Sequence, residues 1–454
     1  MIGGTAQLGK GLEVWRTAMI DGRSTGVLPR DVSAIDRRWR SSSMSGAFGS
    51  MNAVHDTAYE LSLDSRMAIV DTGIMFQNEP THTATATATR PSTTIYRADH
   101  VGSFLRPAEL LAARANPQVP AEERRAIEDR CILECLERQR DSGFRVFSDG
   151  ELRRSTFMSD FNESVNGLTY GDAVQRQWSG ATVAKLGVAS GRITSKRRLT
   201  KHEVDFLKAH SPGDIKMTLP SANQFPAITF KKGVTDAVYA SYSELLWDCA
   251  PIIAAEVRAL ADEGIQYIQI DAPRYSYFID PKWRQYVRDE MRMAPEQALD
   301  EAIRVDNAAF EGVTGRPGTF TCIHLCRGNN RSQWYAEGGY DPIAERLFNS
   351  LNVDAFSLEY DTPRAGTFEP LRFVPPGKLV ILGLVSTKLA ELESADTIIA
   401  RIEQASKYVP LEQIALSPQC GFASMADGNL LSIDDQWKKM ELVADVAQRV
   451  WGTV

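Results

Sequence analysis

The chain has 454 residues, of which 51 are Lys or Arg and 58 are Asp or Glu, so its formal net charge at pH 7 is −7. Its content of 43% hydrophobic and 24% charged residues is typical of a globular protein and excludes a fibrous or wholly disordered chain. The sequence has no basic block, no apolar run of membrane-spanning length and no secretory signal pattern. We therefore expect a cytoplasmic protein without a nucleic-acid or membrane partner.

Residues 1–92 differ in composition from the rest. Gly, Ser, Thr and Ala dominate 41–90, which ends in an alternating Thr-Ala repeat at 83–90. No helical or alternating apolar pattern persists there for long, so the segment lacks the means to bury a core. We predict a poorly ordered, low-complexity extension over 1–92 that carries no chemistry, followed by a single domain over 93–454.

From residue 95 onward, short apolar runs alternate with longer amphipathic segments. This alternation is typical of parallel strands joined by crossover helices. A stretch of roughly 60 residues between the second and third runs is too long for a simple connection and predicts an insertion. The runs lie at 95–99, 145–149, 215–219, 267–271, 320–326, 355–360, 379–385 and 413–417, and the helical patterns at 121–141, 241–263, 295–310, 342–351, 395–408 and 433–450.

Eight runs are the number that closes a (β/α)₈ barrel, also called a TIM barrel. We therefore predict an α/β protein with a TIM barrel over 93–454 and an insertion after the second strand. By its pattern alone, an open doubly wound sheet fits the alternation almost as well.

Metal-capable side chains follow the fifth, sixth and eighth runs. His324 and Cys326 are two residues apart, so an extended chain places both on one side, while Glu359 and Cys420 follow neighbouring runs. Imidazole, thiolate and carboxylate ligands suit Zn²⁺, which deprotonates a bound thiol near neutral pH. The pattern His-x-Cys also occurs often by chance, and a real metal site can be purely structural. Spacing alone does not distinguish a catalytic zinc site from a structural one or from a chance pattern.

Six motifs together carry a resemblance to a known family. They read DHVGSFLRP at 99–107, SDGE at 148–151, IQIDAP at 268–273, HLC at 324–326, SLE at 357–359 and SPQCG at 417–421. In this order they resemble the C-terminal catalytic barrel of cobalamin-independent methionine synthases and its short single-barrel relatives. The resemblance implies a TIM barrel, a zinc ion held by His324, Cys326, Glu359 and Cys420, and methyl transfer to a zinc-bound thiol.

The same resemblance implies roles for residues around the zinc. Ser103 matches the serine that holds the homocysteine carboxylate, and Glu151 and Asp271 match the acids that grip its amino group. Two carboxylates at strand ends suit an ammonium group, and a hydroxyl beside loop amides suits a carboxylate. Asp271 and His100, which lies close to Ser103, are candidates for acid–base catalysis.

The activity implied is that of a 5-methyltetrahydropteroyltriglutamate–homocysteine S-methyltransferase, an enzyme of methionine biosynthesis, acting on homocysteine or a related thiol. The chain departs from that family after the seventh run. It reads Gly-Leu-Val-Ser-Thr-Lys at 383–388, where the family carries a histidine thought to assist proton delivery to the departing folate. The methyl donor therefore stays open, and Ser386, Thr387 and Lys388 are candidates for its binding site.

Two alternatives keep the same barrel. An epoxyalkane:coenzyme M transferase uses the same zinc ligands for alkyl transfer, but its thiol carries a sulfonate and no amino group. Retention of Glu151 and Asp271 argues against it. The second alternative is a non-catalytic barrel with a structural zinc, against which the four intact ligand positions argue. The sequence does not indicate an oligomeric state.

Overall fold

The computed structural model describes residues 95–170 and 187–454. The extension predicted over 1–92 lies outside the described residues. The strands are β1 (Val146–Phe147), β2 (Val165–Thr169), β3 (Val188–Ser195), β4 (Asp214–Pro220), β5 (Tyr267–Asp271), β6 (Phe320–Leu325), β7 (Ala355–Glu359), β8 (Leu379–Val385) and β9 (Ile414–Pro418). Seven of them form one parallel sheet in the order β1-β4-β5-β6-β7-β8-β9.

The segment before β1 lies against the far edge of this curled sheet. Ala98 forms a parallel bridge with Leu416 of β9, and the Asp99 amide donates to the Leu416 carbonyl at 2.9 Å. On its other side, toward β1, the described residues form no backbone ladder, and the His100 ring instead contacts the Val146 carbonyl at 3.2 Å. The TIM barrel is therefore confirmed, although the first run contributes a bridge and not the predicted five-residue strand.

The barrel is surrounded by the helices expected from the amphipathic segments. Two of them, at 121–141 and 295–310, have the predicted bounds, and the helix expected over 395–408 ends earlier because Pro410 follows closely. The helices are α1 (Ala108–Ala115), α2 (Ala121–Asp141), α3 (Phe161–Ser164), α4 (Lys201–His210), α5 (Gln224–Thr229), α6 (Tyr242–Asp262), α7 (Pro281–Asp289), α8 (Pro295–Phe310), α9 (Ala344–Ser350), α10 (Ala395–Ala405) and α11 (Ile433–Trp451). Within the described residues, no helix is long and apolar enough to cross a membrane.

The predicted insertion lies between β1 and β4. It contains α3, the antiparallel hairpin of β2 and β3, and α4, with residues 171–186 outside the described part. β1 itself is short because the Gln139 side chain bonds both the Ser148 amide, at 3.1 Å, and the Ser148 carbonyl, at 2.8 Å. At Ser148, where the SDGE motif begins, the Gln139 side chain thus takes the backbone hydrogen bonds that a neighbouring strand would otherwise make.

Alternation along the strands separates apolar from polar positions. Tyr267, Phe320 and Ala355 belong to a small buried cluster drawn from the beginnings of the strands. Two and four residues further along β5, on the same face, come Gln269 and then Asp271. The same spacing leads from an apolar residue to His324 on β6 and to Glu359 on β7. Polar side chains therefore collect at the carboxyl ends of the strands, where barrel active sites form.

Candidate functional site

The strand register brings the predicted residues to one level of the barrel. Asp271 on β5 pairs with His324 on β6, and His324 pairs with Ser357 on β7. All three side chains are buried, as is Glu359 at the end of β7. Parallel pairing thus joins the ends of three neighbouring strands into a single polar patch.

His324, Cys326 and Cys420 form a metal-capable triad. One ligand atom from each lies within 4.8 Å of the others, and all three residues are buried. His324 Nδ1 lies 3.2 Å from Ser357 Oγ, whereas its buried Nε2 has no hydrogen-bond partner among the described residues. A histidine with one nitrogen fixed by a second residue and the other left for a ligand is typical of metal sites. One nitrogen and two sulfurs at this spacing fit zinc.

The triad is electrostatically poised for a cation. The Cys326 thiol donates toward Cys420 and so lowers the pKa of Cys420 well below its ordinary value; burial opposes this shift, while His324 and Lys388 add to it. The same hydrogen bond, together with burial, raises the pKa of Cys326. The hydrogen bond between the two sulfurs therefore favours the thiolate form at Cys420 and the thiol form at Cys326.

Glu359 lies next to the triad but does not belong to its close set. One carboxylate oxygen accepts from the Arg327 amide at 2.7 Å, and the other accepts from the Arg364 guanidinium. Burial disfavours the charged form, but Arg327, Lys388 and Arg364 outweigh burial and lower the pKa of Glu359. The side chain is thus an ionised, fully buried carboxylate that two arginine residues hold.

Ser103 lies at the cavity wall beside the loop that carries Cys420. Its Oγ accepts from the Ala423 amide at 3.4 Å, and its carbonyl accepts from the Phe422 amide at 2.8 Å. A Cβ at position 421 would lie 2.0 Å from Ser103 Oγ, so only Gly421 permits this approach. The Ser103 hydroxyl is therefore held in place by the loop that follows β9.

Glu151 and Asp271 supply two carboxylates to the same cavity. Glu151 has a φ of 55°, a conformation rare outside glycine, which indicates that its surroundings hold it in place. Its Oε1 accepts from Thr218 at 2.7 Å, while its buried Oε2 has no partner among the described residues. Burial raises the pKa of Asp271 to about 7 despite the opposing effect of His324. Two adjacent buried carboxylates with free acceptor capacity suit an ammonium group.

His100 is buried behind this wall. Its ring lies 5.4 Å from the Phe104 ring and 5.8 Å from the Phe144 ring, and its Nε2 contacts the Val146 carbonyl. Burial, with a further contribution from the nearby Lys216, lowers the pKa of His100 to about 4. The ring is therefore neutral at neutral pH, and the structure does not place it on the cavity lining with Ser103. This geometry favours a structural role over the predicted acid–base role.

Residues 386–388 do not line the cavity either. Ser386 donates to Asp361 at 2.8 Å, Thr387 donates to Gln419, and Lys388 donates to Asn329 at 2.9 Å. Their hydrogen bonds hold together the loops that follow β6, β7, β8 and β9.

Two groups of side chains line the cavity, which has a volume of about 100 Å³. We call the first the strand-end wall; it comprises Ser103, Glu151, Asp271, His324, Cys326 and Cys420. We call the second the aromatic wall; it comprises Met158, Arg274, Tyr277, Trp283 and Tyr335. Sequence reasoning missed the aromatic wall. The aromatic-rich Pro273–Phe278 stretch, a 3-10 helix directly after β5, was the signal that pointed to it.

Comparison with known proteins identifies the family of the chain. A profile of the family described as "Cobalamin-independent synthase, Catalytic domain" matches residues 97–444. This chain belongs to that family. The uncharacterized protein YxjH of Bacillus subtilis is 37% identical over 366 residues, which cover 78% of this chain and 95% of that protein. The methionine synthase of Pyrococcus abyssi is 24% identical over 325 residues, covering 71% and 84% of the two chains.

A solved structure of a related protein has a similar fold. The putative vitamin-B12 independent methionine synthase from Listeria monocytogenes superimposes with a TM-score of 0.60 at 28% sequence identity, covering 80% of this chain and 100% of the other. Membership in the cobalamin-independent methionine synthase family assigns the chain, at family level, to the methyltransferases with a TIM barrel.

Proposed function

We propose that this protein is a zinc-dependent S-methyltransferase that methylates the thiol of homocysteine or a closely related amino thiol. The observation that carries the proposal is the buried His324, Cys326 and Cys420 triad, which opens into the same cavity as the paired carboxylates. The methionine synthase function of relatives such as that of Pyrococcus abyssi supports it.

Zinc would be held by His324, Cys326 and Cys420, with Glu359 as the fourth ligand. When bound, zinc lowers the pKa of an arriving thiol, so that its sulfur reacts as a thiolate. The unpartnered Nε2 of His324 and the ionised carboxylate of Glu359 are the features of this chain that fit such an ion.

The remaining residues of the strand-end wall bind and orient the amino acid. Glu151 and Asp271 would accept hydrogen bonds from its ammonium group, and the Ser103 hydroxyl would donate to its carboxylate. Holding both ends of the amino acid directs its sulfur toward the triad. Such positioning, together with a reactive sulfur, is the main source of rate in a methyl transfer.

Metal analysis tests the ligand set. We expect about one zinc per chain in the purified protein and close to none in Cys420→Ser. Cys249→Ser is the matched control, because Cys249 is also buried but lies in α6, and this variant should keep its zinc. Full zinc content in Cys420→Ser would contradict the assignment.

Thiol binding and turnover test the reaction. Adding homocysteine should raise the number of zinc–sulfur contacts seen by X-ray absorption, and methionine should form with methyltetrahydrofolate or another methyl donor. Equal binding of 2-mercaptoethanesulfonate, which lacks an amino group, would favour the alkyl transferase. A zinc-loaded protein that binds no thiol would favour the non-catalytic barrel.

A further inference from the structure

Arg274, in the aromatic wall, is a buried cation that has no counter-ion among the described residues. Its side chain lines the cavity and the residue is 6% exposed. In the described part of the chain, no carboxylate oxygen comes within the 4.0 Å that defines an ion pair with its guanidinium. A buried charge normally has a partner of opposite sign, since an unpaired one is costly to remove from water.

The guanidinium is held rigidly by neutral groups. Its Nε donates to Gln224 Oε1 at 2.8 Å, and one terminal nitrogen donates to the Tyr277 hydroxyl. Its carbon lies 4.8 Å from the centre of the Tyr277 ring and 5.5 Å from that of Tyr335. These contacts fix the plane of the guanidinium group and leave some of its N–H donors for a ligand. A guanidinium held in this way recognises a planar anion through paired hydrogen bonds.

The same contacts disfavour a cationic ligand. An aromatic wall can attract a cation through the faces of its rings. Here Arg274 already occupies the position over Tyr277 and Tyr335, so a sulfonium methyl donor would meet a like charge. The adjoining surface is apolar and flat, because Trp283 stacks on Tyr277 with ring centres 4.3 Å apart and planes 5° apart.

We infer that Arg274 is a specificity-determining residue that binds an anionic group of the second substrate, the methyl donor. This inference rests on the proposed function, in which the carboxylate of the amino thiol goes to Ser103 and its ammonium group to Glu151 and Asp271. Arg274 is then left for the other substrate. The donor class it selects carries a carboxylate or sulfonate next to a planar, apolar portion.

The test uses small aromatic probes and the zinc-loaded full chain. Benzoate and benzenesulfonate carry the two anionic groups, and benzamide is a neutral molecule of nearly the same shape as benzoate. Calorimetric titration should show benzoate or benzenesulfonate binding the parent protein at least about tenfold more tightly than benzamide does. Equal affinity for benzamide and both anions would overturn the inference.

Variants locate the binding. Arg274→Gln should weaken the preferred anion at least about tenfold and leave benzamide within about twofold, while Arg274→Lys, which keeps the charge but loses the fork, should fall between. Arg288→Gln is the matched control, since Arg288 is exposed on the nearby helix α7, and it should behave like the parent. Unchanged anion affinity in both Arg274 variants would refute the assignment, and a gel-filtration profile matching the parent verifies folding.

Homocysteine distinguishes the two substrate positions. Saturating homocysteine should leave the affinity for the anionic probe unchanged within about twofold, whereas displacement of the probe would assign Arg274 to the acceptor and overturn the inference. Failure of the proposed function gives a different result. In that case the chain holds no zinc or binds no thiol, yet the anion affinity still depends on Arg274.

Discussion

The two walls of the cavity are built in different ways. The side chains of the strand-end wall lie on, or directly after, strands of the barrel, and Glu151 is supported from behind by a buried network. The aromatic wall comes from a 3-10 helix, from α7 and from loops. Its rings form one stacked pair, Trp283 on Tyr277, and both of these rings meet Tyr335 edge to face. The barrel strands thus fix the residues of the proposed zinc and amino-acid site, whereas the surface proposed to meet the second substrate belongs to the loop layer, which varies more among proteins in general.

Disrupting the buried network behind the strand-end wall should give the largest loss of stability. Arg154 makes paired hydrogen bonds to Glu203 at 2.7 and 2.8 Å and also donates to Thr218, which holds Glu151. Arg154→Met leaves Glu203 buried without its partner, so the free energy of unfolding should fall by about 3–5 kcal/mol. Urea unfolding measures this, and the double variant Arg154→Met/Glu203→Met should recover most of it. A loss below about 1 kcal/mol would show that the network does not stabilise this wall.

The aromatic wall is joined to the barrel through Asp306, and this contact predicts a pH dependence. Ser221 and Tyr275 donate to its carboxylate at 2.7 and 2.9 Å, and burial raises its pKa from 3.8 to about 6 against those two hydrogen bonds. Because the folded pKa is the higher one, the contribution of this group to stability is complete below pH 3.8. It is lost as the pH rises through about 6.

Asp306→Asn isolates that contribution. The parent should lose up to about 3 kcal/mol of unfolding free energy relative to the variant between pH 4 and pH 7, since one pKa unit corresponds to about 1.4 kcal/mol. Urea titrations at several pH values measure the difference. Parallel stability curves for the two proteins would contradict the raised pKa.

Glu151→Gln tests whether the strand-end wall binds the ammonium group of the amino thiol. The change keeps the shape of the side chain and removes its charge, so homocysteine should bind about 10–100-fold more weakly. The affinity for 3-mercaptopropionate, which has no amino group, should stay within about twofold. If both thiols weaken equally, Glu151 supports the cavity without contacting an ammonium group.

Trp283→Phe gives the smallest expected effect. Trp283 Nε1 donates to the Tyr335 carbonyl at 2.7 Å, and losing this bond should cost about 1 kcal/mol of stability. Homocysteine affinity should not change, because the proposed thiol site lies at the other wall, while kcat/KM for the methyl donor should fall. A weaker affinity for homocysteine would show that the two walls do not act separately.

The barrel and the strand-end wall could be predicted because their signals are local. Apolar runs predict the strands. His324, Glu359 and Cys420 lie at or just after the carboxyl ends of β6, β7 and β9, which the topology brings together. The hold of Arg364 on Glu359 was missed, because nothing in sequence spacing reveals which cation meets a buried carboxylate.

Long-range packing explains the other points at which the structure differs from the sequence predictions. His100 stands beside Ser103 in sequence, yet the chain turns between them and buries the imidazole against Phe104 and Phe144. The aromatic wall unites Met158 from the insertion, Tyr277 after β5 and Tyr335 after β6. No periodicity links these positions, so only the folded chain shows that they meet.

The tight approach of Gly421 to Ser103 connects two loops that are more than 300 residues apart in the chain. One loop carries Cys420 and the other carries the hydroxyl assigned to the amino acid carboxylate. With no free space between them, neither loop can shift without moving the other. Loading of the ion and capture of the amino acid should therefore be thermodynamically linked, each changing the affinity for the other by the same factor.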